Sequence, residues 1–255
     1  LRLNAHIGIG IPWDLDRNIG GVTVLNEIIM LLPNEEYIYC SDSLNNPYGE
    51  KSVEQVFNYV DNIMKYFISK KCKAVVFACN TATALTIDKI REKYPDIIIV
   101  GIEPAYKMVY DYAKDKNTIV MATKGTTNSK RFQELYHHYD NGKTILVICH
   151  ELANLIEEGK DREIDEYLIK TLPTNKKIEA VVLGCTHYPL IKDKIIKVLG
   201  NVSFYDGANG VANRLYHLLE DNNLINNNSN GKITFIDSSS SIKKENRFWD
   251  LLSKN

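Results

Sequence analysis

Ala74-Val75-Val76-Phe77-Ala78-Cys79-Asn80-Thr81-Ala82-Thr83 and, further along the chain, Ala180-Val181-Val182-Leu183-Gly184-Cys185-Thr186-His187-Tyr188-Pro189 share one layout. In each, a short apolar, β-branched run ends at a cysteine, and polar residues follow. An apolar run of that length predicts a strand buried on both faces, and the polar residues after it predict the start of a helix. A buried strand that feeds a helix is half of a βαβ unit, so the expected sheet is parallel.

Working outward, similar runs at 6–11, 36–41, 97–102, 118–123, 144–149 and 202–205 predict further strands. Amphipathic stretches at 22–31, 52–70, 81–93, 104–114, 129–137, 164–172, 191–199 and 209–220 predict the helices between them. The fold class is therefore α/β: two similar lobes, each a mainly parallel sheet flanked by helices, with the active site in the cleft between them. The first lobe is expected over 1–95, joined by the returning segment 211–255, and the second over 96–210. The Asn-rich stretch 221–231 is expected to be a polar surface loop.

Composition narrows the function. Thirty-one Lys and Arg against 32 Asp and Glu give a formal charge of −1, without the basic field that nucleic acid or an anionic membrane demands. No apolar run reaches the roughly 20 residues of a membrane span, and the opening 1–11 lacks a secretory layout, so a cytoplasmic protein acting on a small molecule is expected. Five cysteines without a CxxC pair suit neither a disulfide framework nor a metal site. Gly8-Ile9-Gly10 lacks the third glycine of a dinucleotide loop. No cofactor and no metal are expected.

A cysteine after an apolar run is ordinarily a small buried hydrophobe. Here both Cys79 and Cys185 stand where a parallel sheet binds ligands, at strand carboxyl ends and helix starts. The helix dipole is expected to pull such a thiol from its ordinary value of about 8.5 toward neutrality, making it usable as a base. Asn80, Thr81 and Thr186 supply donors for a carboxylate or an ammonium, and His187 lies within reach of the Cys185 proton. Two thiols of this kind suit racemisation, in which one takes a proton from one face of a carbon and the other returns one to the opposite face. Cys149 also ends a strand, but no hydroxyl-rich helix start follows, and it is read as structural.

The segments Ala78-Cys79-Asn80-Thr81-Ala82-Thr83-Ala84, Gly101-Ile102-Glu103-Pro104-Ala105 and Leu183-Gly184-Cys185-Thr186-His187-Tyr188-Pro189 resemble the signature motifs of the glutamate racemases, in the aspartate/glutamate racemase superfamily. Further likeness at Pro47-Tyr48-Gly49, Thr123 with Gly125-Thr126, 149–159 and Asp206-Gly207 extends over nearly the whole chain. The resemblance implies Cys79 and Cys185 as the two catalytic bases, Asp16 and Glu157 as carboxylates assisting the thiols, and His187 as the neighbour of the second cysteine. It implies Pro47, Tyr48, Gly49, Asn80, Thr81, Thr126 and Thr186 as substrate contacts. It also implies a cofactor-independent homodimer that supplies D-glutamate for peptidoglycan.

The first loop departs from the family's Asp-Ser-Gly-x-Gly-Gly turn. Ile11-Pro12-Trp13-Asp14-Leu15-Asp16-Arg17-Asn18-Ile19-Gly20-Gly21 is longer, and Arg17 stands where the family's serine touches substrate. Arg17 either fills the pocket or presents its fork to a carboxylate, so it counts among the substrate-side residues. Asp14 competes with Asp16 for the carboxylate role. Asp42, in Ser41-Asp42-Ser43, reads equally as a loop cap or a substrate-side group. Two alternatives stay open on this loop: a related racemase with aspartate or hydantoin specificity, and a non-catalytic amino-acid-binding homologue.

Overall fold

The structure, a computed structural model, describes residues 6–11, 20–45, 47–227 and 231–253. Strands β1 (Ile7–Ile11), β2 (Tyr37–Ser41), β3 (Ala74–Phe77), β4 (Ile98–Gly101), β5 (Thr118–Ala122), β6 (Thr144–Ile148), β7 (Ala180–Gly184), β8 (Ser203–Tyr205) and β9 (Ile233–Asp237) form two sheets. The first has the order β4-β3-β1-β2-β9 and the second β6-β5-β7-β8, and every pairing is parallel.

Read in the same sense, β4-β3-β1-β2 and β8-β7-β5-β6 are one topology used twice, with β9 added to the edge of the first. In both, the strand order reverses between the first and third strands of the set, and ligands bind at such a switch point outside the carboxyl ends. Cys79 follows β3 and Cys185 follows β7, so the two cysteines hold equivalent places beside equivalent switch points. The α/β class and the two parallel sheets agree with the sequence reading.

Local chemistry accounts for the elements. Helix Val53–Ser69 opens with a capping box in which Ser52 Oγ accepts from Gln55 N at 3.2 Å and Gln55 Oε1 accepts from Ser52 N at 3.0 Å. Its apolar stripe, Val56, Val60, Met64 and Phe67, recurs at helical spacing and is buried on the first sheet. A Cβ on Gly8 would sit 2.7 Å from the Phe67 ring, so that glycine admits the helix against β1 rather than a phosphate. Helices Gly20–Leu31 and Ala208–Asp221 close the other face around Val24, Leu25, Val211 and Leu215. The second sheet is likewise covered on both faces.

Three features differ from the sequence reading. β4 pairs with β3, Ala74 opposite Ile98, so the first sheet runs past the expected division at 95/96. The tail is ordered as β9 and helix Ile242–Leu252, neither of which the sequence reading placed; Phe248 of that helix is fully buried against Tyr39 and Phe235. The stretch 221–231, expected at the surface, buries Leu224 and Asn226. It is drawn inward because Lys73 Nζ donates to Leu224 O at 2.6 Å while Asn226 N donates to Glu35 Oε1 at 2.8 Å.

Candidate active site

A cleft lies where the two switch points face each other, with about 560 Å³ of empty space, part of it open to solvent. The first lobe contributes Pro47, Tyr48, Gly49, Cys79, Asn80 and Thr81 to its walls, and the second contributes Thr123, Cys149, Cys185, Thr186 and His187. Most residues expected from the sequence are thus brought together.

Cys79 is the N-cap of helix Asn80–Lys93 and its Sγ accepts from Ala82 N at 3.4 Å. The sequence reading expected this position to lower the thiol's pKa, and the structure reverses the sign. Desolvation by the surrounding protein pushes the Cys79 thiol up to about 12; the Ala82 N–H opposes the shift, and the proximity of Cys185 adds to it. The hydrogen bonds that Ala82 and Thr81 offer at the helix start do not offset the loss of water around a thiolate.

Cys185 differs in setting. No α-helix starts directly after it: a turn leads to a 3-10 segment Tyr188–Ile191, and helix Lys192–Leu199 begins only then. Its Sγ lies 3.1 Å from His187 Nδ1, so the thiol has a ring nitrogen with which to exchange a proton. His187 and Thr186 are both buried.

Asn80 is 3% exposed, and neither its amide nitrogen nor its amide oxygen has a hydrogen-bonding partner. A buried amide left in that state costs stability, and the imbalance is removed by a ligand that brings both an acceptor and a donor. The hydroxyl of the next residue, Thr81, forms a triangle with those of Thr123 and Thr126, with Thr81–Thr123 at 2.9 Å, Thr123–Thr126 at 3.0 Å and Thr81–Thr126 at 3.3 Å. Thr81 belongs to the first lobe and the other two to the second. A Cβ on Gly125 would lie 2.9 Å from Thr81 and 3.2 Å from Gly49 O, so its lack of a side chain lets the lobes touch beside the cleft.

Thr126, a substrate contact by resemblance, is fully buried behind Thr123, which itself faces the cleft. Thr123 was legible in principle, since it directly follows β5 and stands in the Thr123, Gly125-Thr126 likeness. Cys149, read as structural, also lines the cleft; burial pushes its thiol up to about 12. Asp14, Asp16 and Arg17 lie outside the described residues, as does the side chain of Glu157 at the end of helix Leu152–Glu157. Among the described residues no cluster of His, Cys, Asp or Glu is placed to hold a metal ion, and no helix is long and apolar enough to cross a membrane.

Comparison with known proteins agrees with this geometry. The sequence model of the Asp/Glu/Hydantoin racemase family matches residues 22–215. The chain is 42% identical over 235 residues to a glutamate racemase of Clostridium botulinum, covering 89% of this chain and 91% of that one. It superposes with a TM-score of 0.82 on the crystal structure of glutamate racemase from Francisella tularensis in complex with D-glutamate, at 29% identity over 99% of this chain and 95% of that one. The TM-score is also 0.82 to Escherichia coli glutamate racemase in complex with L-glutamate and the activator UDP-MurNAc-ala, at 25% identity over 98% and 95% of the two chains. Matched by the family's sequence model over most of its length and by its fold along nearly all of it, the chain belongs to the Asp/Glu/Hydantoin racemase family.

Proposed function

We propose that this protein interconverts L-glutamate and D-glutamate without a cofactor, with Cys79 and Cys185 exchanging the α-proton across opposite faces of the substrate. The observation that carries the reading is the pair of thiols, one from each lobe, on the walls of one cleft beside an Asn80 amide that has no partner. The choice of glutamate draws on the relatives, named glutamate racemases at 37–42% identity, and on neighbours that hold D- or L-glutamate.

The α-C–H of an amino acid is far less acidic than a thiol, so catalysis rests on orientation and on fixed donors that stabilise the developing carbanion. The Asn80 amide, the Thr81 hydroxyl and the Thr186 side chain are suited to hold the α-carboxylate and ammonium. With its raised pKa, Cys79 rests as a thiol and is the proton donor. Cys185, with His187 to receive its proton, is the base. Turnover in one direction leaves the two protonation states exchanged, and His187 and solvent restore them. We assign to Asp16 and Glu157 the assistance of the thiols, and to Arg17 a substrate-side position. A homodimer in the cytoplasm that feeds D-glutamate to peptidoglycan is part of the same proposal; the muramyl nucleotide that activates the Escherichia coli relative supports that role.

The deciding experiment is circular-dichroism-monitored turnover of L- and D-glutamate without added cofactor, with aspartate in parallel. Conversion of glutamate from both sides is expected. Turnover of aspartate alone would move the specificity to the alternative racemase reading, and silence on both would leave an amino-acid-binding homologue.

Two further results are expected. Asn80→Ala should raise KM for glutamate roughly 10- to 100-fold, the value of a hydrogen bond to a charged group, while the melting temperature holds or rises because the free protein loses no partner. An equal fall in melting temperature would mean that the amide is bonded within the fold. Alkylation of Cys79 by iodoacetamide in the free enzyme should keep accelerating between about pH 8 and about pH 10, because the thiolate reacts and its pKa lies above that range. A plateau near neutral pH would show that the dipole has prevailed over burial.

A further inference from the structure

The wall that carries Pro47, Tyr48 and Gly49 is tied to the far end of the chain. It is built from two short 3-10 turns, Ser43–Asn45 and Tyr48–Glu50, which lack the hydrogen-bond ladder of a longer element. Asp42 joins them, accepting from the Tyr48 hydroxyl at 2.7 Å and from Asn45 Nδ2 at 2.9 Å. The base of the wall is held from β9. Asp237 Oδ2 accepts from the Ser41 hydroxyl at 2.8 Å and from the Ser43 hydroxyl at 2.6 Å, and Ser238 Oγ accepts from Leu44 N at 3.0 Å.

Asp237 and Lys244 are themselves buried, at 8% and 4% exposure. Ser239 donates to Asp237 Oδ1 from its backbone at 3.0 Å, and Lys244 Nζ lies 4.0 Å from that oxygen and donates to Ser239 Oγ at 3.2 Å. A buried charge pair is an ineffective way to gain stability, because the desolvation of both ions cancels most of their attraction. Its value lies in fixing one arrangement of the groups around it, and here those groups are the foot of the substrate-side wall.

We propose that Asp237, acting through the Ser41 and Ser43 hydroxyls, is a positioning residue for the 47–50 wall, so that the C-terminal strand sets how firmly the cleft closes on its ligand. The ligand assignment rests on the glutamate reading; the positioning role does not.

The test is site-resolved alkylation by iodoacetamide, read by mass spectrometry, in the full chain carrying Asp237→Asn. Cys79 lines the cleft together with the wall, and Cys72, buried at 6% exposure in the same lobe, reports the stability of that lobe. The Cys79 rate should rise roughly tenfold relative to Cys72, the factor that one charge-assisted hydrogen bond places on a local opening. KM for D-glutamate should rise with it while kcat changes little. An unchanged ratio, or Cys72 rising in step with Cys79, would overturn the proposal. Should Asp237→Asn not fold, Ser43→Ala carries the same measurement and the same expected direction. If the wild-type enzyme leaves glutamate unchanged, the substrate reading fails and the Cys79/Cys72 ratio still decides the positioning role.

Discussion

Replacing either Cys79 or Cys185 by serine is expected to lower kcat for glutamate racemisation roughly 10³-fold, within the range for removing a positioned acid or base. Serine nearly preserves shape but exchanges a thiol for a hydroxyl whose anion is inaccessible at neutral pH, so the fold and the binding of glutamate should survive. The two variants should differ in what they retain. With Cys79 changed, Cys185 and His187 still form a base on one face, 3.1 Å apart, and can exchange the α-proton of one enantiomer with solvent without inverting it. With Cys185 changed, only the opposite face keeps a thiol, one that burial holds protonated, so exchange should be confined to the other enantiomer and be slower. Proton NMR in deuterated buffer, starting from each pure enantiomer, reads this directly. Near-normal inversion by either variant, or exchange of the same enantiomer by both, would end the two-base scheme.

The placement of Cys79 and Cys185 at strand ends on the cleft was legible because its signals are local: a β-branched run, a cysteine, then hydroxyl-bearing residues. The doubled layout in the sequence corresponds to a doubled strand order in the fold. Thiol acidity was not legible, since it depends on how much water the folded chain removes, and here burial outweighs the helix start. Asp42, readable equally as a cap or a substrate-side group, resolves as a loop tie because Tyr48 and Asn45 are near in sequence but meet it only once the 3-10 turns form. β9 escaped notice because its five residues, Ile233-Thr234-Phe235-Ile236-Asp237, lie between an Asn-rich loop and a serine run and carry no helix-pairing signal. Its place on the edge of the sheet is decided by β2, far away in the sequence.

Breaking the buried pair of Lys73 and Glu35 is expected to cost about 3–5 kcal/mol, the largest stability effect of any single change considered. Both side chains are wholly buried, with Nζ 2.7 Å from Oε2. Nothing local in the sequence marks either residue for burial, since each stands just before a strand. Their burial becomes intelligible only through the tail, because Lys73 also donates to Leu224 O and Glu35 also accepts from Asn226 N, which together draw the stretch after helix Ala208–Asp221 onto the first lobe. Lys73→Met removes one charge and leaves Glu35 ionised without water or a cation, and it also orphans the Leu224 carbonyl. For a domain of about 150–250 residues each kcal/mol is worth roughly 2–4 °C, so a fall in melting temperature of about 6–20 °C is expected. Adding Glu35→Gln should recover part of that loss, because the uncompensated anion disappears while the amide oxygen still accepts from Asn226 N; additive losses in calorimetry would show the two residues to be energetically independent. Because the tail also carries Asp237 on β9, the same pair anchors the segment that leads to the cleft wall. Lys73→Met should therefore also raise KM in the temperature range where the tail detaches before the rest of the lobe unfolds.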